Sequence, residues 1–256
     1  DSKAHKRQGC IWMRMITDLH CHLLPYLDDG AKDWATALQM VQMAAMSGVG
    51  RIVCTPHCSF GDPALGKRIQ AILGYTDSLD RALTAHKVPV RVFSGAELLW
   101  DESFPNMDLL SSLTLARSRY LLLEFRFGER LSRMDHALSR LQNMGITPVI
   151  AHPERYVAVQ REPSSLGEWF RAGWVIQLDK GSVVGDYGRN AYNAAAWALD
   201  HGFVHVVSSD AHNIQTRTPN FRRVKKLLSE RFSPRYAELL LRCNPGRVVE
   251  NLELVR

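Results

Sequence analysis

The sequence predicts an α/β fold whose parallel strands form a distorted, TIM-like (β/α)7 barrel, with a functional site at the C-terminal rim of the strands. Three observations lead there. Short β-branched or aliphatic runs alternate with longer helix-patterned segments. The helical segments end at glycines, as helices that turn back toward a sheet commonly do. Ionisable residues gather where the apolar runs end. An open doubly wound sheet is the competing arrangement.

The elements follow in order. The first strand, "MITDL" (15–19), runs into a His-Cys-His triplet. The segment "DWATALQMVQMAAMSG" (33–48) predicts a helix capped by Asp33 and stopped by Gly48. "RIVCT" (51–55), "VRVFSGAE" (90–97) and "YLLLEF" (120–125) are the next strands. "RMDHALSRLQNMG" (133–145) predicts a helix ending at Gly145, followed by the strands "TPVIAH" (147–152) and "WVIQL" (174–178). "AYNAAAWALDHG" (191–202) predicts a helix ending at Gly202, ahead of the last strand, "VHVVSS" (204–209). No repeat, low-complexity tract or linker divides residues 15–256, which read as one domain. The basic opening "DSKAHKRQGCIWMR" (1–14) reads as an N-terminal extension or an expression remnant. No GxGxxG or GxxxxGK[ST] loop marks a nucleotide site.

Composition narrows the function. A 256-residue chain with 46% hydrophobic residues can bury a full core. No apolar run approaches the ~20 residues of a membrane-spanning helix, and no signal peptide with a small-residue cleavage site is evident. Membrane insertion is therefore not expected. The five cysteines are odd in number and irregularly spaced, which suits free thiols in a reducing cytoplasm. The net charge of +6 invites a nucleic-acid reading. However, half of it lies in residues 1–14, where Lys3, Lys6, Arg7 and Arg14 oppose only Asp1. Arg222, Arg223, Lys225 and Lys226 alternate with Val224, Leu227 and Leu228, the pattern of a solvated helix face. A phosphate-backbone surface wants a more concentrated basic face, so nucleic acid is not the expected partner.

The strand ends carry the chemistry. His20 and His22 share a face of the first strand because residues i and i+2 of a strand point the same way. Asp28 and Asp29 follow in the next loop. The second strand ends at His57, the third at Glu97, the fourth at Glu124, the fifth at His152 with Arg155 just beyond, and the last at Asp210 and His212. Closing so many ionisable groups in among apolar strands is costly unless they are paired or bind metal. A nitrogen and oxygen donor set without thiolate fits Mn, Fe or Zn, and five histidines with four carboxylates exceed the needs of one ion. Two or three ions sharing bridging carboxylates account for them. Asp18 shares the parity of His20 and either orients a ligand or makes a strand-end hydrogen bond. His5, His86, His136, His201 and His205 are given no role, with His201 placed at a helix C-terminus.

These residues resemble the PHP (polymerase and histidinol phosphatase) family. They are most similar to its bacterial capsule-associated branch, the manganese-dependent tyrosine-protein phosphatases of the CpsB/YwqE type. The resemblance runs from Met15 to about Val249, through "DLHCHLLPYLDDG", "TPH", "GAE", "LLLEF", "GITPVIAHPERY", "SSDAHN" and the "NP" of "CNPGRVV". It implies that His20, His22, Glu97 and Asp210 hold one Mn²⁺, with Glu97 bridging. Glu124 and His152 would join Glu97 at a second ion, and Asp29, His57 and His212 would hold a third. It further implies that Arg155 and Arg217 bind the phosphoryl group. The implied substrate is a phosphotyrosine protein, a bacterial tyrosine autokinase controlling capsule or exopolysaccharide synthesis. Clustered cations would make hydroxide available to attack phosphorus, and a tyrosine leaving group with a pKa near ~10 needs little protonation. Histidinol phosphate or another phosphoester, a PHP nuclease, and a metal-binding scaffold without activity are the alternatives. A cysteine-dependent phosphatase is excluded, because no cysteine has an arginine six positions on.

Overall fold

The structure, a computed structural model, describes residues 15–101 and 107–255. The N-terminal segment 1–14, with the extension inferred for it, lies outside the described residues. The elements run β1 (Ile16–Cys21), α1 (Trp34–Met46), β2 (Val49–Cys54), β3 (His57–Ser59), α2 (Leu65–Ala85), β4 (Arg91–Ser94), β5 (Glu97–Leu99), α3 (Met107–Leu113), β6 (Tyr120–Glu124), α4 (Leu131–Asn143) and β7 (Thr147–Ala151). They continue α5 (Val157–Arg161), α6 (Ser165–Ala172), β8 (Val175–Asp179), α7 (Lys180–Val183), α8 (Arg189–Asp200), β9 (Val206–Ser208), α9 (Arg222–Arg231), α10 (Pro234–Glu238) and α11 (Asn244–Val249).

The strands form two all-parallel sheets, β1-β2-β4 and β3-β5-β6-β7-β8-β9. Two runs read as single strands are each broken in two. β2 passes through Thr55 and Pro56 into β3, and β4 passes through Gly95 and Ala96 into β5. Proline has no N–H for the ladder. At Gly95 a Cβ would stand 2.8 Å from Val53 Cγ1, so only glycine lets the chains approach this closely. The nine segments therefore follow seven successive paths. Beyond the last of them, the Asp210 N–H donates to His20 O (2.9 Å) and the His22 N–H to Ala211 O (2.8 Å), which ties the end of β9 to the end of β1.

Strand parity sorts the core. Leu19, Val53, Leu122, Val149, Val175 and Val206 pack together in one cluster, while Ile52, Leu121, Leu123, Ile150, Ile176 and Val207 pack in another with the helices. The expected helix stops are observed. Asp33 accepts from the Thr36 N–H at 2.7 Å, and Gly48, Gly145 and Gly202 follow the ends of α1, α4 and α8 at positive φ. The sequence reading did not place α2, although its buried Leu65, Ile69, Ile72, Thr76, Leu79 and Leu83 recur at helical spacing. On α9, Val224 and Leu228 are buried and the four basic side chains are exposed. Among the described residues, no helix is long and apolar enough to cross a membrane.

Candidate metal centre

Every predicted rim residue lies at a strand end or in the loop after it, with His57 and Glu97 opening β3 and β5 just beyond β2 and β4, and the nine come together. The alternation of β1 sends His20 and His22 inward and Cys21 into the outer core. The two Nε2 atoms lie 3.1 Å apart, and both rings are fully buried. β5 begins at Glu97, whose Oε2 lies 3.1 Å from His20 Nε2, 3.3 Å from His22 Nε2 and 3.0 Å from His57 Nδ1. Its Oε1 lies 2.9 Å from His152 Nε2, which is also 3.6 Å from Glu124. On the far side, Asp29 Oδ1 lies 3.5 Å from His57 and 3.4 Å from His212. Asp210 Oδ1 approaches His20 and His22 at 3.4 and 3.5 Å. His152 and Asp210 hold φ at 35° and 48°, a left-handed backbone that non-glycine residues keep only where surrounding contacts enforce it.

Hydrogen bonds outside the cluster aim the imidazoles. His22 Nδ1 lies 2.7 Å from Asp28 Oδ2, and His20 Nδ1 lies 3.0 Å from Gln177 Oε1. These acceptors keep a proton on Nδ1 and so present both Nε2 atoms to Glu97 and Asp210. Asp28 also accepts from the Gly30 and His57 N–H groups. Gly30 is required here, since a Cβ would sit 2.2 Å from His22 O. Asp18 touches neither imidazole ring at hydrogen-bond distance. It accepts from the Ser209 N–H and hydroxyl at 2.9 and 2.6 Å, which makes it a strand-end tie between β1 and β9.

The electrostatics of the cluster are those of opposite charges forced together. Burial resists ionisation of Glu97, yet His20 and its neighbouring imidazoles hold it well below the carboxylate range. Burial likewise opposes charge on Asp210, where His20 and His22 prevail. Burial and the charge of Glu97 push Glu124 up. Burial and His22 push His212 down to about 4, while Asp179 and Glu97 overcome burial to hold His152 at about 10.

Glu97 Oε2, Asp210 Oδ1 and His212 Nε2 are buried without a hydrogen-bond partner among the described residues. Three sets of donor atoms each lie within 4.8 Å of one another: His20, His22 and Glu97; His57, Glu97 and Glu124; and His22, Asp29, His57 and His212. Unpartnered lone pairs converging in this way, with no thiolate among them, fit hard to borderline divalent cations.

The two arginines reach the same carboxylate. Arg155 Nη1 donates to Asp210 Oδ2 at 3.0 Å, and Arg217 Nη2 donates to that oxygen as well. Both remain partly exposed at the rim. Arg155 also donates to Asp179 Oδ2 at 3.3 Å, and Asp179 Oδ1 accepts from Gln177 Nε2 at 3.2 Å. Gln177 and Asp179 went unassigned in the sequence reading, which ended this strand at Leu178. The alternation of "VIQLD" puts them on one face, the same signal that exposed His20 and His22. Asp28, seen only as a neighbour of Asp29, is the third residue missed.

A family model described as capsular polysaccharide synthesis, CpsB/CapC, matches residues 16–250. The chain is 32% identical over 245 residues to the tyrosine-protein phosphatase YwqE of Bacillus subtilis (strain 168), covering 94% of this chain and 91% of that protein. It is 30% identical over 230 residues to the putative tyrosine-protein phosphatase CapC of Staphylococcus aureus, covering 88% of this chain and 87% of that one. Among solved structures it is similar, with a TM-score of 0.84 and 30% identity, to one described under "Crystal structures of YwqE from Bacillus subtilis and CpsB from Streptococcus pneumoniae, unique metal-dependent tyrosine phosphatases". That match covers 94% of this chain and 97% of the other.

Proposed function

The chain belongs to the CpsB/CapC family of capsular polysaccharide synthesis, and from that membership we infer that it is a metal-dependent tyrosine-protein phosphatase. The observation that carries the reading is the gathering of nine rim residues around overlapping donor sets, two of which contain Glu97, with two arginines meeting at Asp210 beside them. The seven parallel paths, with strand parity sorting two clusters, support a distorted seven-stranded β/α barrel of the PHP superfamily spanning residues 15–256.

In this reading, His20, His22, Glu97 and Asp210 hold one Mn²⁺, Glu97, Glu124 and His152 a second, and Asp29, His57 and His212 a third, with Fe or Zn as other occupants. The cations would supply Lewis-acid charge to the phosphoryl oxygens and lower the pKa of nearby water. The chain's own groups do the rest. Asp28 and Gln177 keep His22 and His20 in the tautomer that presents Nε2. Arg155 and Arg217 neutralise charge spreading over the phosphoryl oxygens as the P–O bond to tyrosine breaks. The buried Arg217 Nε–H has no hydrogen-bond partner among the described residues and is placed to donate to an anion. The leaving phenolate, with a conjugate-acid pKa near ~10, departs without a strong general acid. The substrate is a phosphotyrosine protein in the cytoplasm, a bacterial tyrosine autokinase.

One assay tests this. Purified protein with Mn²⁺ is given a phosphotyrosine peptide, histidinol phosphate or single-stranded DNA, with and without chelator. The phosphotyrosine peptide is expected to be hydrolysed fastest, with activity abolished by chelator and restored by excess metal. A preference for histidinol phosphate overturns the substrate, and full activity in chelator overturns the metal mechanism.

A further inference from the structure

We propose that Phe127 and Tyr187 form an aromatic lip around Arg155 that receives the phenyl ring of phosphotyrosine and so selects aryl over alkyl phosphates. The proposal rests on the phosphatase reading above and names what that site recognises beyond the phosphoryl group.

Phe127 follows β6 and is 45% exposed although it lies beside a buried cluster. Its centroid is 6.1 Å from that of His152 and 4.8 Å from the Arg155 guanidinium carbon. Tyr187 reaches the same guanidinium from the loop between α7 and α8, with its centroid 5.0 Å away. Tyr187 is built into place. Its ring lies over Gly181, where a Cβ would stand 2.6 Å from the ring carbon Cζ. The turn carrying it is set by Gly185 and Gly188, both at positive φ. The charges of Asp179, Asp210, Arg155 and Arg217 all act on its phenol, which burial pushes up, so the ring lies at the arginine pair and stays neutral.

A phosphate held by Arg155 and Arg217 carries its phenyl ring one ester bond outward, to the level of these two rings. Edge-to-face or offset packing there adds affinity for an aryl ester that the short side chain of phosphoserine cannot gain. Both rings also flank Arg155 through cation–π contact. The test must therefore separate ring recognition from arginine positioning.

Phe127→Ala and Tyr187→Ala are measured against a phosphotyrosine peptide, the matching phosphoserine peptide, and inorganic phosphate as a competitive inhibitor. Each alanine variant is expected to raise KM for phosphotyrosine by about three- to tenfold. Inhibition by phosphate should stay within about twofold, and Phe127→Tyr and Tyr187→Phe should recover KM. An unmoved KM, or a phosphate inhibition constant that weakens in step with it, overturns the proposal. In the second case the rings serve only to hold Arg155. Absence of phosphotyrosine hydrolysis by the unaltered protein overturns the underlying phosphatase reading together with the proposal.

Discussion

Replacing Asp28 with asparagine tests how the centre is held without touching a rim ligand. The Asp28 carboxylate accepts three hydrogen bonds: His22 Nδ1 at 2.7 Å and the His57 N–H at 3.0 Å on Oδ2, and the Gly30 N–H at 2.9 Å on Oδ1. An amide oxygen in the Oδ2 position keeps the first two as neutral bonds, each weakened by about 1 kcal/mol. The amide NH₂ then faces the Gly30 N–H, and the loss of that bond costs about 1 kcal/mol more. The total is about 3 kcal/mol, shared between folding and the orientation of His22. A share of 1.4–2.8 kcal/mol in orientation lowers metal affinity about 10- to 100-fold, the range found when a partner of a ligating histidine is removed. Activity is followed as a function of free Mn²⁺, alongside thermal unfolding of the metal-free protein. The half-saturating concentration is expected to rise within that range, with kcat at saturating metal largely kept. An unchanged metal dependence with a lowered Tm would refute the argument, since Asp28 would then only brace the loop.

The same carboxylate gives an acid signature in the metal-free protein. Burial opposes its ionisation, but His22 and the two N–H groups hold it at about 2 against an ordinary 3.8. A folded pKa below the unfolded value gives stability that is present above 3.8 and lost as pH falls toward about 2. Asp28→Asn should flatten that limb in circular-dichroism acid titrations, and an unaltered limb counts against it. Arg155→Lys keeps the charge but removes the planar guanidinium, whose Nη1 donates to both Asp179 and Asp210 and whose remaining N–H groups can serve a phosphoryl group, so kcat/KM should fall about 10- to 100-fold with metal affinity unmoved. Wild-type kinetics would remove Arg155 from the phosphoryl site. Gly30→Ala forces a Cβ to within 2.2 Å of His22 O and should destabilise the protein by about 2 kcal/mol or more. Equal denaturation midpoints would show that the loop has another conformation.

Much of the site was legible because strands have a period of two and parallel strands end at one rim. That is why His20, His22, His57, Glu97, Glu124, His152, Asp210 and His212 could be read from strand ends, and Arg155 from its closeness to His152. Asp29 and Arg217 lie in loops, where spacing alone carries little: Asp29 was read with Asp28 after the first strand, but its place at an ion, like the role of Arg217, came only from the family resemblance. Asp28, Gln177 and Asp179 were missed for a different reason. The alternation of "VIQLD" puts Gln177 and Asp179 on one face but does not name their partners, which lie far along the chain, and Asp28 sits in a loop, where no period applies.

The amino-acid order alone determined the alternation of strand and helix, the glycine stops at Gly48, Gly145 and Gly202, and which side of each strand is polar. Each of these is set by near neighbours through φ/ψ preference and side-chain parity. Folding decided the rest: the breaks at Pro56 and Gly95, the left-handed turns at His152 and Asp210, and the meeting of β9 with β1. It also decided that Arg155 and Arg217 share one oxygen of Asp210. Such features depend on how closely distant segments pack, and packing distance is a property of the assembled chain.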